Sequence, residues 1–358
     1  MNNSLGDDHL IICSRKEVGR EAWDALVGSA DEAWLWHTFD LQTAIATWPR
    51  KYDLSFALVD RQANGQVVAV MPLHLIKGKA TRFLDWHVLD SLGGPACSNS
   101  LGKKHRQRIR QRIMDRVIQL ANQHDAGEVT LSMTPMSPAV RGDLCPRVNP
   151  LLSLGCENTL TQTWVVDLQM GKDRLWANME GRARTAIRKA EKLGVQSRPA
   201  DRPGDLDIYY HLHCETYQRT GVRPHPKAYF EAIWHDFLAK NRSYILFAEW
   251  QGAVVAAENF GIYKQAAVYW TGAASRQGLA LEASSLLQWQ AMQWMLQNGI
   301  DWYETGEAFP HISEGKQKGL NDFKKSFGGV LYPFYRGRIV VRKKLHALVA
   351  LWQTLREG

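Results

Sequence analysis

Cysteine is scarce in this chain and never grouped. The 358 residues hold five, Cys13, Cys97, Cys145, Cys156 and Cys214, an odd and widely spaced set with no C-x-x-C. This argues against a disulfide framework and offers no zinc-ligand spacing; it fits a reduced, cytosolic compartment. Long hydrophobic runs are missing as well. No window approaches the ~18 apolar residues of a membrane-spanning helix, and the opening MNNSLGDDHLIIC has neither a basic leader nor a long apolar centre. The expectation is a soluble protein, at most in peripheral contact with a membrane. No Ser-His-Asp or Cys-His arrangement is legible, so no covalent intermediate is expected. His211 and His213 stand two apart on a predicted helix and face different ways, and no metal is expected.

What is present is a globular composition with a cationic excess. Hydrophobic residues make up 45% and charged residues 22%, which excludes global disorder. The length suits two domains of roughly 150–200 residues each. The 14 tryptophans belong mostly to the core, because indole buries a large apolar area, with a minority left to line a groove. A net charge of +8 favours an anionic partner, be it nucleic acid, nucleotide cofactor or lipid headgroup, or else marks a solvated basic surface.

The order of predicted elements repeats. A strand at His9–Cys13 and helices at Glu17–Leu26 and Asp40–Trp48, the second capped by Asp40, precede two β-branched runs flanking Asn64-Gly65, a hairpin signal. Strands at Arg82–Trp86 and Val88–Leu92 lead into a small-residue loop, Gly93–Gly102, a helix, Lys103–His124, and a strand, Val129–Met133. That helix buries Ile109, Ile113, Val117 and Leu120 or Ala121. Its first turns carry Lys103, Lys104, Arg106, Arg108, Arg110 and Arg112, which oppose the helix dipole unless solvent or a bound anion offsets them. A Pro/Gly/Ser-rich stretch from Met136 to Cys156 reads as a linker.

Then come a strand, Thr161–Leu168, a short helix, Asp173–Met179, and GRARTAIRKAEKLGV, a helix stopped by Gly194. Helices at Asp205–Thr220 and Pro226–Lys240 precede a second hairpin turning at Gln251-Gly252. The pattern now recurs: strand, Ala266–Thr271; Gly/Ala/Ser loop, Gly272–Leu281; long helix, Glu282–Asn298; short strand, Ile300–Thr305; and a basic turn, GLNDFKKSFGG. A strand that re-enters as a helix through such a loop makes an anion site, because first-turn N–H groups and the dipole point at it. Two copies of one α/β unit suggest a tandem duplication with a ligand cleft between them. A strand, VLYPFYRGRIVVRK, and an amphipathic helix with Leu345, Leu348, Val349, Trp352 and Leu355 on one face close the chain. That helix either docks on the protein's own sheet or lies on a membrane surface.

Three segments in this order, RARTAIRKAEKLGV, YWTGAASRQGLALEASSLLQWQAMQWMLQNGIDWYETGE and GLNDFKKSFGG, resemble the Fem-type branch of the GNAT acyltransferase superfamily over roughly Thr161 to Tyr335. The N-terminal half agrees mainly in pattern. The resemblance implies an α/β (α+β) chain of two tandem GNAT-like domains, each a mixed, mostly antiparallel sheet flanked by helices. Their expected extents are 1–156 and 157–335, the second catalytic, with 336–358 packing back on the sheet. It further implies a substrate channel at or between the domains. The implied reaction moves an acyl or aminoacyl group to an amine of a cell-envelope, polysaccharide or secondary-metabolite acceptor by direct attack. The implied donor is an acyl thioester such as acyl-CoA, or an aminoacyl-tRNA. The long helical arm of some bridge-forming members has no counterpart here. The GNAT pyrophosphate loop, Q/R-x-x-G-x-G/A, gives way to ASRQGLALEASS, with Arg276, Gly278 and Ala280 but no full match. A phosphate site is still expected there, its owner being coenzyme A, RNA or the acceptor.

Transfer to an amine needs a deprotonated nucleophile, a positioned carbonyl, an oxyanion stabiliser and a proton for the leaving group. The resemblance puts Lys324 at the donor's phosphate or ribose end, with Phe323 stacked on a base or packed in the core. Arg276, Gly278 and Ser284 complete the expected donor site. Arg182, Arg184 and Arg188 hold an acceptor phosphate or donor RNA, or form a solvated face. Tyr269 and Trp270 line the channel floor, with core packing the alternative for Trp270. Glu304 and Glu307, at the C-terminal end of a short strand, are candidate bases. Glu258, a polar residue in an apolar run, becomes a third if it faces the interior, where its pKa would rise. The rival reading is a non-catalytic nucleic-acid-binding or partner-binding protein on a degenerate GNAT fold.

Overall fold

The computed structural model describes residues 9–81 and 84–347. Two units emerge: one runs to Leu160 and resumes at Phe334, and the other is Thr161–Pro333. In chain order the first holds β1 (Leu10–Ser14), α1 (Arg15–Ser29), α2 (Phe39–Ile45), β2 (Lys51–Asp53), β3 (Phe56–Asp60), β4 (Gln66–Met71), β5 (His74–Lys79), β6 (Asp85–Leu92), β7 (Ala96–Cys97), α3 (Lys103–Gln123), β8 (Ala126–Met133) and β9 (Glu157–Asn158). Strands β1-β3-β4-β7 make a small sheet; β2-β5-β6-β8 make a second, extended by the strand Val330–Val340. The β3–β4 hairpin turns through Asn64 and Gly65, both at positive φ. The apolar face of α3, Ile109, Ile113, Val117, Leu120 and Ala121, lies on Leu58, Val68, Met71, Val129 and Leu131. Asp40 does not cap its helix. Thr38 holds the cap position, and Asp40 lies inside α2, buried and ion-paired with Arg20.

The second unit holds β10 (Thr161–Asp167), α4 (Lys172–Asn178), α5 (Gly181–Lys192), β11 (Gln196–Pro199), α6 (Asp205–Thr220), α7 (Lys227–Ala232), β12 (Ser243–Trp250), β13 (Ala253–Tyr263), β14 (Ala266–Ala274), α8 (Arg276–Ala280), α9 (Ala283–Gln297), β15 (Trp302–Ala308) and α10 (Gly315–Lys325), and ends in the first residues of β16 (Val330–Val340). Its sheet runs β11-β12-β13-β14-β15-β10. Every neighbouring pair in it is antiparallel except β14–β15. Leu175 of α4, Ile187 of α5 and Leu287 and Met292 of α9 pack with Phe260 and Tyr303 in one core. Tyr209 and Leu212 of α6 and Phe230 of α7 pack with Ile245, Phe247 and Ala273 in another.

Three further expectations need correction. The stretch Gly272–Leu281 is no open loop: β14 continues to Ala274 and α8 takes up most of the remainder. Glycine and alanine favour strands poorly, but the β13 ladder, with Ala256 opposite Ala274, overrides local preference. The space demands small residues too, since a Cβ on Gly272 would lie 1.8 Å from the Tyr269 hydroxyl. Second, the basic turn containing Lys324 is the end of helix α10. Third, Pro226–Lys240 is not one α-helix. It passes from α7 through a π turn at Ile233–Phe237 to a 3₁₀ turn at Leu238–Lys240. Most of the amphipathic C-terminal helix and the start of the Arg82–Trp86 strand fall outside the described residues. Among the described residues, no helix is long and apolar enough to cross a membrane.

Candidate active site

β14 and β15 run side by side only from Ala266 opposite Trp302 to Val268 opposite Glu304. Two bulges part them. Against β13, Asn259 faces Thr271 and Phe260 faces Tyr269, so Trp270 is an extra residue in β14. Against β10, Val165 faces Glu304 and Trp164 faces Gly306, so Thr305 is an extra residue in β15. A bulge bends its strand and increases the local twist. Each one here falls within two residues of the last shared rung, and the parallel pair splits there.

Lys324 meets the C-terminal end of β15 at this split. Its ammonium donates to the Glu307 carbonyl at 3.0 Å. Gly306, at φ 111°, leaves the room: a Cβ there would stand 3.1 Å from Lys324 Nζ. Burial lowers the lysine's pKa, while Glu307 and then Glu304 push it back up. Glu304 is 3% exposed, and its Oε1 accepts from Thr163 Oγ1 at 2.8 Å. One half-buried lysine is therefore bonded to the backbone of Glu307 and feels the charges of Glu307 and Glu304. Asn321 fixes α10 in this position: its Oδ1 accepts from Trp164 Nε1 at 3.0 Å and from the Phe309 N–H at 2.9 Å. Thr305 adds a bond from its hydroxyl to the Lys324 carbonyl at 3.2 Å.

Residues 177–325 match the family model described as an acetyltransferase (GNAT) domain. Among solved structures, a crystal structure of FemX aligns over 94% of this chain and 99% of its own, with a TM-score of 0.70 at 16% identity. The chain has a Fem-type tandem GNAT fold. A tandem GNAT protein from the clavulanic acid biosynthesis pathway (TM-score 0.56, 13% identity, 93% and 98% covered) and L-PGS from Bacillus licheniformis (0.55, 15%, 95% and 97%) share it. No curated protein matches. The segment that matches the acetyltransferase model contains Glu258, Glu304, Glu307 and Lys324.

The other expected residues of this GNAT domain lie in different settings. Glu258 is fully buried; its Oε2 accepts from Gln288 Nε2 at 2.8 Å and its Oε1 from the Tyr269 hydroxyl at 3.3 Å. Gln288 in turn accepts from Tyr303. Desolvation raises the Glu258 pKa to about 8, against the bonds from Gln288, Tyr269 and Ser284. Tyr269 and Ser284 thus belong to the polar network around Glu258. Gly278 packs against β13, where a Cβ would lie 2.2 Å from the Val255 carbonyl oxygen, and its N–H is taken by Ser275 Oγ at 3.0 Å. Arg276 is exposed at the start of α8. Phe323 packs on Phe327, ring centroids 5.0 Å apart. Trp270 donates to the Tyr229 hydroxyl at 3.0 Å and meets Phe237 edge-on.

Of the three arginines, Arg182 reaches Glu180 at 2.8 Å and Asp322 at 3.5 Å, joining α5 to α10. Arg184 donates to the carbonyls of Trp176, Ala177 and Met179, capping the end of α4. Arg188 is exposed, 5.3 Å from the centre of the Trp176 ring.

Sequence reasoning passed over Thr163, Asn321, Thr216 and Arg219. Thr216 Oγ1 accepts from the Ala274 N–H and donates to its carbonyl, each at 3.1 Å, and Arg219 adds a bond to that carbonyl at 2.9 Å. Helix α6 thereby holds the last residue of β14. The available signal was Gly306 within a strand pattern, which marks a bulge or a close approach.

Proposed function

We propose that the protein transfers an acyl or aminoacyl group to an amine at the split between β14 and β15, with Lys324, Glu307 and Glu304 as the reacting groups. The observation that carries this is a half-buried lysine bonded to the Glu307 carbonyl where a parallel strand pair opens, with the charges of Glu307 and Glu304 both acting on it. The acceptor enters as an ammonium and gives a proton to Glu307 or Glu304. Its nitrogen attacks the donor carbonyl, and a C–N bond forms. The Lys324 ammonium stabilises the developing oxyanion and supplies the proton to the departing oxygen or sulfur as the C–O or C–S bond breaks. Burial suits the lysine to this role, because a lowered pKa makes its ammonium a better acid. Passing the carboxyl proton to the lysine restores the site, and the second proton of the acceptor nitrogen leaves to solvent as the neutral amide forms.

An aminoacyl ester of tRNA is the donor we favour. The Gly278 N–H, at the turn where a pyrophosphate would need free donors, is bonded to Ser275. Gly278 itself is packed on Val255. Acyl-CoA is the second reading, favoured by the match to an acetyltransferase family model. FemX and L-PGS supply the analogy for an envelope-related acceptor. The purified chain is incubated separately with a charged-tRNA pool and with acetyl-CoA, and melting temperature and transfer to added amines are measured. Stabilisation and transfer with charged tRNA support the first reading; the same with acetyl-CoA moves the assignment to the second. Tight, salt-sensitive RNA binding without transfer to any amine would mark a binding protein and sink both.

A further inference from the structure

The basic helix of the first unit has no part in this chemistry, yet a groove runs along it. The groove has a volume of about 590 Å³ and is lined by Lys103, Arg106 and Arg110 together with the apolar Leu101, Met114 and Leu154. That volume is in the range of small-molecule sites. The arginines are fixed in place. Glu32, 7% exposed, accepts from Arg106 Nη1 at 3.0 Å and from Arg110 Nη2 at 2.7 Å, while its other oxygen accepts the Cys97 N–H at 3.0 Å. One carboxylate therefore braces two guanidinium groups and neutralises only one of them, and Lys103 adds a further positive charge. Arg106 Nε is buried and meets no acceptor of the protein.

We infer that this groove is a binding site for a small organic phosphate, its phosphate held by Lys103, Arg106 and Arg110 and its apolar portion lying on Leu101, Met114 and Leu154. Charge and preorganisation select the phosphate. Guanidinium groups already oriented by protein oxygens lose little freedom on binding, and their uncompensated charge together with Lys103 attracts a phosphate. The apolar wall selects an organic ester over the inorganic ion, because it offers surface only to a base or a hydrocarbon chain. The inference does not rest on the transferase reading, since none of these residues belongs to the matched acyltransferase segment.

The test is calorimetric titration of the full chain at low salt with three probes: ADP, short-chain phosphatidylglycerol and inorganic pyrophosphate. At least one organic phosphate is expected to saturate a single site, more tightly than pyrophosphate. ADP or the lipid headgroup identifies the source. A variant carrying Lys103→Glu and Gln107→Glu, both exposed positions lining the groove, should weaken that binding by about tenfold or more at an unchanged melting temperature. Lys324→Met should leave it intact. The inference is overturned if neither organic probe binds more tightly than about 1 mM. Binding that survives the double substitution, or is lost with Lys324→Met, overturns it equally.

Discussion

Each unit sets one parallel strand pair beside a helix, and the two pairs end differently. In the first unit β6 and β8 stay in register from His87 opposite Ala126 to Leu92 opposite Ser132. Their irregularity, Gly127 as an extra residue, comes at the start, where a Cβ would strike the Trp86 ring. In the second unit β14 and β15 part after Val268 and Glu304, with a bulge on each strand at the point of separation. The zipped pair spends its backbone groups on itself. The split pair turns both strand ends outward from each other, and α10 brings Lys324 to one of them. The side chains follow the same division. β8 carries Thr130, bonded to Asp90 at 2.7 Å, where β15 carries Glu304 and Glu307 on either side of its bulge. Where an extra residue falls thus decides whether a parallel pair stays zipped or splits, and the proposed reaction site lies at the split.

That contrast can be broken most directly at Lys324. Lys324→Met should lower kcat by about 10²-fold or more, the usual cost of removing a transition-state donor, at a melting temperature close to that of the parent. Thr130→Val, on the zipped pair, should leave kcat unchanged. Equal losses in the two variants would show that the split has no special status. Glu307→Gln and Glu304→Gln come next. The one that acts as base should lose about 10²-fold in kcat/KM as its Gln variant, while the other variant stays close to the parent. Gly306→Ala ranks third. Its Cβ would stand 3.1 Å from Lys324 Nζ at a backbone φ of 111°, costing about 1–3 kcal/mol in strain. A loss of kcat larger than the stability change accounts for would place the lysine's seat within the reaction site.

Local pattern carried the helices well. The buried face of α3 and the limits of α6 were readable from spacing and termini, because those depend on residues within a few turns. The bulges were not readable, since each is defined by a ladder to a strand distant in sequence: Thr305 is an extra residue only against Trp164 and Val165. Gly306 was a faint local sign of it. Gly272–Leu281 read as a loop because its residues have little strand preference, and tertiary pairing overrode that. In α10, Gly315 and Gly319 disguise a helix that Asn321 pins from two sides. Residue type and resemblance nominated Lys324, Glu304 and Glu307; that α10 brings the lysine to the end of β15 is a product of strand and helix packing. Glu258 was conspicuous as a charge in an apolar run, and its enclosure by Tyr269 and Gln288 could only be seen in three dimensions.

Glu258 also gives the smallest expected effect on transfer, and it sharpens the contrast from inside the second unit. It is fully buried, and burial raises its pKa from 4.5 to about 8. Between those values the folded protein keeps a proton that the unfolded chain releases. The stabilisation is complete below about pH 4.5, declines as pH rises, and levels off once the folded state also ionises near pH 8. The total is on the order of 5 kcal/mol. Glu258→Gln supplies a permanently neutral group of the same shape. It should flatten this decline, so that urea midpoints at pH 5 and pH 8 draw together and the variant is the more stable protein at pH 8. Transfer should remain within about twofold of the parent, since the network of Gln288, Tyr269 and Ser284 holds the acid away from any donor. A loss comparable to that of Lys324→Met would instead place Glu258 in the chemistry, and the split between β14 and β15 would then be only part of the site.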